Sequence, residues 1–140
     1  MSVKPIKTTF SYDDKKGEEW RLNGLLHNEN EPARTYSNGT KQYYKHGYLH
    51  RSDGPAVEAH YEHFIKYVYY VDGMIHNEKG PAYIERGNYS VLLKHFYMDK
   101  LHNLQGPAIL INYLYKTKRI QDSRDYYING IYYTRDNYYK

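Results

Sequence analysis

The chain consists of short runs that mix apolar and polar residues and end at turn-forming residues. Runs of about four to eight residues bounded by Gly, Asn, Asp or Ser are typical of half-buried strands. No segment shows an apolar period of about 3.6 residues together with helix-capping residues. The pattern therefore predicts an all-β chain of antiparallel hairpins with almost no helix. The predicted strands are residues 7–12, 18–22, 33–36, 40–44, 82–85, 89–97 and 108–115.

Two connections are less clearly marked than the others. Residues 56–70 contain no glycine, and a turn is predicted there at residues 60–63. Residues 116–125 are polar and follow the apolar strand 108–115, so they predict a longer connection.

A longer pattern recurs along the chain, and residues 69–82 (YYVDGMIHNEKGPA) are its clearest copy. Two markers keep one common spacing of 23, 26 and 26 residues, which indicates stacked structural units. The markers are His27, His50, His76 and His102 and the Pro-Ala pairs that begin at Pro32, Pro55, Pro81 and Pro107. We therefore predict a single domain of about five units, with the first and last acting as caps. The predicted units are residues 7–33, 34–56, 57–82, 83–108 and 109–140.

Four copies contain a two-residue turn signal before the marker position. These signals are Asn23-Gly24, His46-Gly47, Asp72-Gly73 and Asn129-Gly130. Such turns need positive φ, which Asn, Asp and Gly accept most readily, so each copy is predicted to contain a tight hairpin. The fourth copy lacks the turn glycine and is interpreted as one residue shorter. In the fifth, Tyr133 replaces the histidine and no Gly-Pro-Ala follows.

The amino-acid composition indicates sheets whose faces are partly exposed to water. The chain has 20 tyrosines and 3 phenylalanines, and tyrosine suits half-buried strands because its ring packs while its hydroxyl reaches water. Cysteine is absent, which excludes a disulfide framework and thiolate chemistry. The net charge of +4, from 20 basic and 16 acidic residues, is mild and mixed in sign, unlike a dedicated nucleic-acid arm.

The recurring pattern Tyr-x-x-Gly-x-Leu-His-x-x-x-Gly-Pro-Ala resembles the MORN-like repeat variants found in proteins of large DNA viruses, phages and some bacteria. Three copies match it well, one matches loosely and one matches only in its first half. With their links they cover most of residues 18–133. The resemblance implies β-hairpin units stacked into an elongated, single-layered, twisted meander sheet. It also implies protein or lipid contacts and no catalytic residues.

The N-terminal residues contain no apolar run of the kind that marks a secretory signal. No stretch approaches the roughly 18 apolar residues of a membrane helix. With the lack of cysteine, these features predict a cytoplasmic protein, inside the host cell or the virion if the chain is viral.

The four marker histidines invite a zinc site, but their spacing argues against one. If each unit adds two strands about 4.8 Å apart, equivalent histidines lie about 10 Å apart. Ligands of one zinc ion lie within about 4 Å of each other. We expect instead that each imidazole hydrogen-bonds the backbone of its own Gly-Pro-Ala loop. The structural markers are then His27, His50, His76, His102, Pro55, Pro81 and Pro107, with a metal site or a functional histidine surface as alternatives.

No catalytic motif is found in the chain. It has no Gly-rich phosphate loop, no Gly-x-Ser-x-Gly elbow and no His-Glu-x-x-His. His-Asn strings occur at residues 27–28, 76–77 and 102–103, but an HNH nuclease also needs a ββα metal fold and a second histidine on a helix. The pair His60 and His63 has no matching carboxylate or cysteine set. We predict no enzymatic activity, no metal and no cofactor.

Aromatic residues are predicted to form two columns on opposite faces, because strand side chains alternate. One column is Trp20, Tyr44, Tyr70, Tyr97 and Tyr127. The simpler interpretation of both columns is cross-strand packing that holds a thin sheet together. The second column, with nearby basic residues, is the candidate binding face. It consists of Tyr43, Tyr69, Phe96, Tyr126, Lys41, Lys45, Arg51, Lys66 and Lys94.

The sequence therefore predicts a non-enzymatic protein–protein interaction or scaffolding module, of viral or phage origin, that presents this aromatic and charged face to a partner protein. The alternative is a nucleic-acid or nucleotide binder that uses the same tyrosines and lysines. Glu58, Glu62 and Glu85 interrupt a continuous positive groove. Open edge strands and the C-terminal tyrosines 132–133 and 138–139 also suggest a homodimer.

Overall fold

The computed structural model describes residues 3–115 and 121–140, and it confirms an all-β antiparallel fold with almost no helix. The strands are β1 Ile6–Tyr12, β2 Lys15–Leu22, β3 Leu25–Leu26, β4 Arg34–Tyr36, β5 Lys41–Gln42, β6 Tyr44–Lys45, β7 Tyr48–Leu49, β8 Val57–His60, β9 Phe64–Val68, β10 Tyr70–Val71, β11 Met74–Ile75, β12 Tyr83–Gly87, β13 Ser90–Lys94, β14 Phe96–Tyr97, β15 Lys100–Leu101, β16 Ile109–Tyr113, β17 Ser123–Ile128 and β18 Ile131–Tyr133. One short helix, α1 Arg135–Tyr138, follows β18.

Twelve strands form one antiparallel sheet that follows the chain as a meander. Their spatial order is β1-β2-β4-β5-β8-β9-β12-β13-β16-β17-β18, with β3 paired to β2. The turn predicted at residues 60–63 is confirmed, because β8 ends at His60 and β9 begins at Phe64. Among the described residues, no helix has the length and apolar character that a membrane crossing needs.

Three hairpins, β6-β7, β10-β11 and β14-β15, form separate two-stranded ladders beside this sheet. The division occurs because one residue at each junction changes hydrogen-bond partner. The backbone N–H of Tyr69 donates to the carbonyl of Ala82, 2.8 Å away, in the next strand of the meander. The carbonyl of Tyr69 accepts from the backbone N–H of His76, 3.1 Å away, at the end of the hairpin. The continuous sheet expected from the sequence is therefore divided into a meander and a row of hairpins.

The hairpin turns have positive φ at both central residues, for example 50° at Asn23 and 79° at Gly24, as a type I′ turn requires. The fourth hairpin reaches the same geometry without glycine, through Met98 at 47° and Asp99 at 66°. It has the same length as the others, so the interpretation of the fourth copy as one residue shorter is wrong. The Asp99 carboxylate also accepts the backbone N–H of Ile75 at 2.7 Å, which anchors the turn.

The alanines of the Pro-Ala pairs are the most deeply buried apolar residues. Each has 0% of its surface exposed, and they are Ala33, Ala56, Ala82 and Ala108. Their backbones form ladder bonds on both sides, since the Ala82 N–H donates to the Lys94 carbonyl at 2.9 Å while the Ala82 carbonyl accepts from Tyr69. The small alanine side chain suits these fully buried ladder positions.

The two faces of the meander carry different residues, because positions directly opposite each other across a ladder share one side. One row across the sheet, which defines the core face, is Gln42, Val57, Val68, Tyr83 and Lys94. The adjacent row, which defines the outer face, is Lys41, Glu58, Tyr67, Ile84 and Leu93.

A small hydrophobic core lies on the core face. Val57, Ala59 and Val68 are buried there. The residues packed against them are Leu49, Tyr70, Ile75 and Tyr83, of which three belong to hairpins. The hairpins therefore stabilise the meander by covering the middle of one of its faces.

The C-terminal part differs from the sequence prediction in one place. The connection predicted over residues 116–125 is wrong for residues 123–125, which form the start of β17 and pair with residues 109–111 of β16. The ladder offered by β16 outweighs the low strand preference of polar residues. Residues 116–120 lie outside the described residues.

Candidate interaction surface

The marker histidines join each hairpin to the next one. Their Nδ1 atoms accept backbone N–H groups from the following turn. The donor–acceptor pairs are His46 to His27 at 3.0 Å, Asp72 to His50 at 3.1 Å, Met98 to His76 at 3.2 Å and Asn129 to His102 at 3.1 Å. The expectation that each histidine bonds its own Gly-Pro-Ala loop is wrong. The next turn is nearer because consecutive hairpins stack side by side, as the 2.9 Å bond from Gly73 N–H to the Leu49 carbonyl shows.

In His27 and His76 the second ring nitrogen lies near a glutamate of the following loop. Because Nδ1 accepts a hydrogen bond, the neutral ring carries its proton on Nε2. Nε2 of His27 lies 3.0 Å from Oε1 of Glu29, and Nε2 of His76 lies 3.5 Å from Oε1 of Glu78. The hydrogen bond from His27 is the main cause that lowers the pKa of Glu29. Both nitrogens of His27 are thus occupied, which gives this residue a structural role.

In the second, third and fourth copies, the residue after the histidine closes the Gly-Pro loop. Nδ2 of Asn77 donates to the Pro81 carbonyl at 3.1 Å, and its Oδ1 accepts the Lys79 N–H at 3.1 Å. Arg51 replaces asparagine in the second loop and donates from Nη1 to the Pro55 carbonyl at 3.2 Å. Sequence reasoning missed this role. The signal was present, because asparagine follows histidine in three of the four copies.

The nine residues of the candidate binding face do not share one side of the sheet. Lys41 lies on the outer face, where it pairs with Glu58. Lys66 and Lys94 lie on the core face, opposite Ala59 and Tyr83. The basic and aromatic residues that looked continuous in the sequence are therefore divided between the two faces.

The aromatic columns are also rearranged. Phe96 occupies the first hairpin position, like Tyr44 and Tyr70, because each of these residues pairs with the residue before a marker histidine. His95 therefore takes the position that was expected for Phe96, in line with Tyr43 and Tyr69. The expected placement is wrong because the fourth copy was interpreted as too short. Trp20 also belongs in line with Tyr43 and Tyr69 and not with Tyr44. The reason is that the next residue, Arg21, pairs with Leu26, which precedes the marker His27.

Three grooves lie side by side between consecutive loops that run from a marker histidine to a Pro-Ala pair, and we call them the loop grooves. The first has a volume of about 190 Å³ and contains the ring of Tyr43. The second, of about 690 Å³, contains Tyr69. The third, of about 550 Å³, contains His95. One aromatic ring of the rearranged column thus lines each groove.

The loop grooves carry charges of both signs. The second groove is lined by Arg51 and Lys79 together with Asp53 and Glu78. Arg51 is already engaged, because its Nε donates to Asp53 at 2.9 Å and its Nη1 to Glu58 at 3.1 Å. Its guanidinium carbon also lies 3.9 Å from the centre of the Tyr43 ring. This surface therefore offers hydrogen bonds and a ring, without a continuous positive charge.

The other residues of the candidate face differ in accessibility. Tyr126 is 5% exposed, because the rings of Tyr138 and Tyr139 pack on it at centroid distances of 4.9 and 5.8 Å. Lys45 is exposed and lines the first groove, and its Nζ lies 3.7 Å from a carboxylate oxygen of Glu29. Tyr43, Tyr69 and Phe96 are therefore the rings of the predicted face that line an open groove.

His95 makes the third loop groove sensitive to pH. Burial lowers the pKa of the His95 imidazole below its ordinary value of 6.5. The unfolded chain then binds more protons than the folded one as the pH falls from about 7 to about 5, so folding is destabilised over that range. We expect the His95→Tyr variant, which carries the ring found at the equivalent positions, to lose less stability over this range than the wild type. Urea unfolding at several pH values measures the difference, and parallel pH profiles would contradict it.

The described residues contain no group of three or more His, Cys, Asp or Glu side chains placed to hold a metal ion. The arrangement instead offers a row of shallow, ring-lined grooves with mixed charge. No protein-family model, curated protein or solved structure matches the chain.

Proposed function

We propose that this protein is a non-enzymatic interaction module that holds an extended segment of a partner protein across the loop grooves. The observation that carries the proposal is the row of three neighbouring grooves, each bounded by two of the loops that end in Pro-Ala. An extended peptide that crosses several units can place successive side chains into such a row. The MORN-like resemblance, the viral or phage origin and the cytoplasmic location stay predictions.

The walls of the grooves are rigid enough to bind without rearrangement. Each loop is closed by a side chain, as Asn77 closes the third loop through Pro81 and Lys79. Marker histidines hold the neighbouring hairpins in place, as His76 does through the Met98 N–H. Pre-organised loops lose little conformational entropy on binding, so even a shallow surface of this kind supports useful affinity.

The mixed charge of the loop grooves favours a polypeptide over a polyanion. A nucleic-acid channel needs several free basic groups along one surface. In the second groove Arg51 is engaged by two carboxylates, and Asp53 and Glu78 lie on its walls. The alternative of nucleic-acid binding on the candidate face therefore has less support than protein binding.

The proposal is tested by capture from cell lysate with tagged protein, after nuclease treatment and at low and high salt. We expect one protein to be retained by the wild type under both salt conditions. The Lys79→Glu variant, changed within the second and third loop grooves, is expected to lose about tenfold in affinity for that protein. The matched control is Lys100→Glu, which changes an exposed lysine that lines none of the three grooves.

Equal weakening by Lys79→Glu and Lys100→Glu would show a general charge effect and would contradict binding in the grooves. Retention that disappears with nuclease or salt would contradict the protein partner and favour nucleic acid.

A homodimer through an edge strand remains a proposal, and the structure favours the N-terminal edge for it. Strand β1 has seven residues and pairs only with β2 among the described strands. At the other end, the Tyr138 hydroxyl donates to the Asn103 carbonyl at 2.6 Å and accepts the Gly106 N–H at 3.0 Å, so α1 is fastened over the last units. Open edges invite pairing between chains. Sedimentation equilibrium measures this, and a monomer at all concentrations contradicts it.

A further inference from the structure

A fourth groove lies on the core face, on the other side of the sheet from Lys41 and Glu58. It has a volume of about 540 Å³, a size typical of sites that bind small ligands. Its walls come from three turns of the meander, at residues 13–14, 37–40 and 61–63. Its floor contains Val57 and Ala59, which are 8% and 5% exposed. The groove therefore combines an apolar floor with a polar rim.

The rim is basic. Lys15 and Lys66 line the groove from the core face, together with one carboxylate, Asp14. Lys16 also borders the groove, but strand alternation places its side chain on the outer face. Within the described residues neither Lys15 nor Lys66 forms an ion pair, whereas Lys7 and Lys45 do. Two unpaired cations beside one groove lower the energy of an anion placed between them.

Two tyrosines and one unpaired acceptor complete the groove. Tyr36 and Tyr61 line it, and the Lys66 ammonium lies 5.3 Å from the centre of the Tyr61 ring. The side-chain oxygen of Gln42 is buried and has no hydrogen-bond partner. An unpaired buried acceptor costs free energy. Gln42 lines the groove, and a rotation of its side chain that brings this oxygen to a ligand N–H removes that cost.

We propose that the core-face groove binds a nucleoside phosphate, either free or as an unpaired nucleotide of a single strand. The phosphate lies between Lys15 and Lys66, and the base stacks on the Tyr36 ring, because the Tyr61 ring is already stacked against Phe64 at a centroid distance of 4.4 Å. The exocyclic amine of adenine donates to the Gln42 oxygen, since an amide oxygen accepts and cannot donate. The site lies on the opposite face from the loop grooves and does not depend on the function proposed for them.

The test is isothermal titration of the full chain with AMP, IMP, adenosine, inorganic phosphate and O-phosphotyrosine. We expect AMP to bind about tenfold or more tightly than adenosine or phosphate, because only AMP engages both the ring and the lysines. IMP replaces the amine with a carbonyl and is expected to bind about tenfold more weakly than AMP.

Three variants assign the contacts. Lys66→Met is expected to weaken AMP binding about tenfold by removing one phosphate contact. Lys94→Met is the matched control: it also lies on the core face, with its ammonium 5.1 Å from the Tyr83 ring, yet it does not line the groove, so its effect is expected to stay within about twofold. Gln42→Leu is expected to bind AMP and IMP equally. A thermal melt of each variant verifies that it is folded.

Equal binding of phosphate and AMP would overturn the proposal, because it would show a plain anion site. Tighter binding of O-phosphotyrosine than of AMP would also overturn it, in favour of a phosphopeptide. The proposal would also be overturned if AMP did not bind, or if Lys66→Met and Lys94→Met weakened AMP binding equally. Tighter binding of a short oligoadenylate than of AMP, with a steep salt dependence, would support the proposal and assign the nucleotide to a single strand.

Discussion

Replacing His27 with alanine is expected to lower the free energy of unfolding by about 3 kcal/mol. His27 is 1% exposed, so its removal leaves a cavity. It also leaves the backbone N–H of His46 without the Nδ1 acceptor that lies 3.0 Å away. The ring of His46, whose centroid is 4.3 Å from that of His27, loses its packing partner as well. Urea unfolding at neutral pH measures the change.

Three further variants separate the hydrogen bond from general effects of losing a histidine. His76→Ala, with a side chain 11% exposed, is expected to lose about 2 kcal/mol. His63→Ala, with a side chain 75% exposed, is expected to change stability by less than about 0.5 kcal/mol. His27→Asn keeps an acceptor near the Nδ1 position and is expected to recover about 1 kcal/mol relative to alanine. Similar losses in His27→Ala and His63→Ala would contradict the role of the marker histidines.

Gly17→Ala is expected to cost about 3 kcal/mol of stability, because the added methyl group meets the backbone of a neighbouring strand. A Cβ atom at this position would lie 2.0 Å from the Thr35 carbonyl oxygen and 3.0 Å from the Phe10 ring. Thr35 belongs to β4, so β2 and β4 must separate to make room. The clash lies inside the meander, between β2 and β4, and the same urea titration measures its effect.

Gly87→Ala is the matched control, since Gly87 also lies in a strand of the meander. A Cβ atom there would lie 3.6 Å from the Ser90 carbonyl oxygen, which is an ordinary van der Waals contact. We expect this variant to change stability by less than about 1 kcal/mol. If both glycine variants unfold at the same urea concentration, the close approach of β2 to β4 does not limit stability.

The two faces of the sheet have separate tasks under these proposals. Loops closed by Asn77 and its equivalents form the grooves for a partner segment. The core face, near Gln42 and Lys66, forms the groove for a small anion. Since Lys79 and Lys66 lie in different grooves, variants at the two positions should affect one activity each. Loss of both activities in either variant would show that the two surfaces are coupled.

Much of the fold was predictable because local residue chemistry and spacing decide it. Turn signals such as Asn23-Gly24 marked hairpins, since they accept the positive φ that these turns need. The spacing of the histidines also indicated stacked units. The candidate site was less predictable. Lys66 and Lys94 are close to aromatic residues in the sequence, which suggested one shared binding face. A shift of one residue in a strand's register moves each side chain to the opposite face of the sheet, so closeness in sequence does not decide which residues share a face.

The fourth copy shows how that error arises. Met98-Asp99 contains no glycine to mark the turn, so the sequence pattern places Phe96 where His95 belongs. Asp99 replaces the glycine because its carboxylate bonds the Ile75 N–H of the preceding hairpin. That partner is 24 residues away in the chain, so no local pattern contains this information.

The sequence by itself determined that this chain forms antiparallel hairpins, where most of their turns lie, and that histidine and Pro-Ala recur at one spacing. These features follow from backbone preferences that act over a few residues. Only the tertiary structure decided that each histidine bonds the next hairpin, that the alanines are fully buried, and which lysines share a face with Gln42. Such contacts depend on how strands from distant parts of the chain align and stack, since burial and hydrogen-bond partners arise only when the whole sheet has formed.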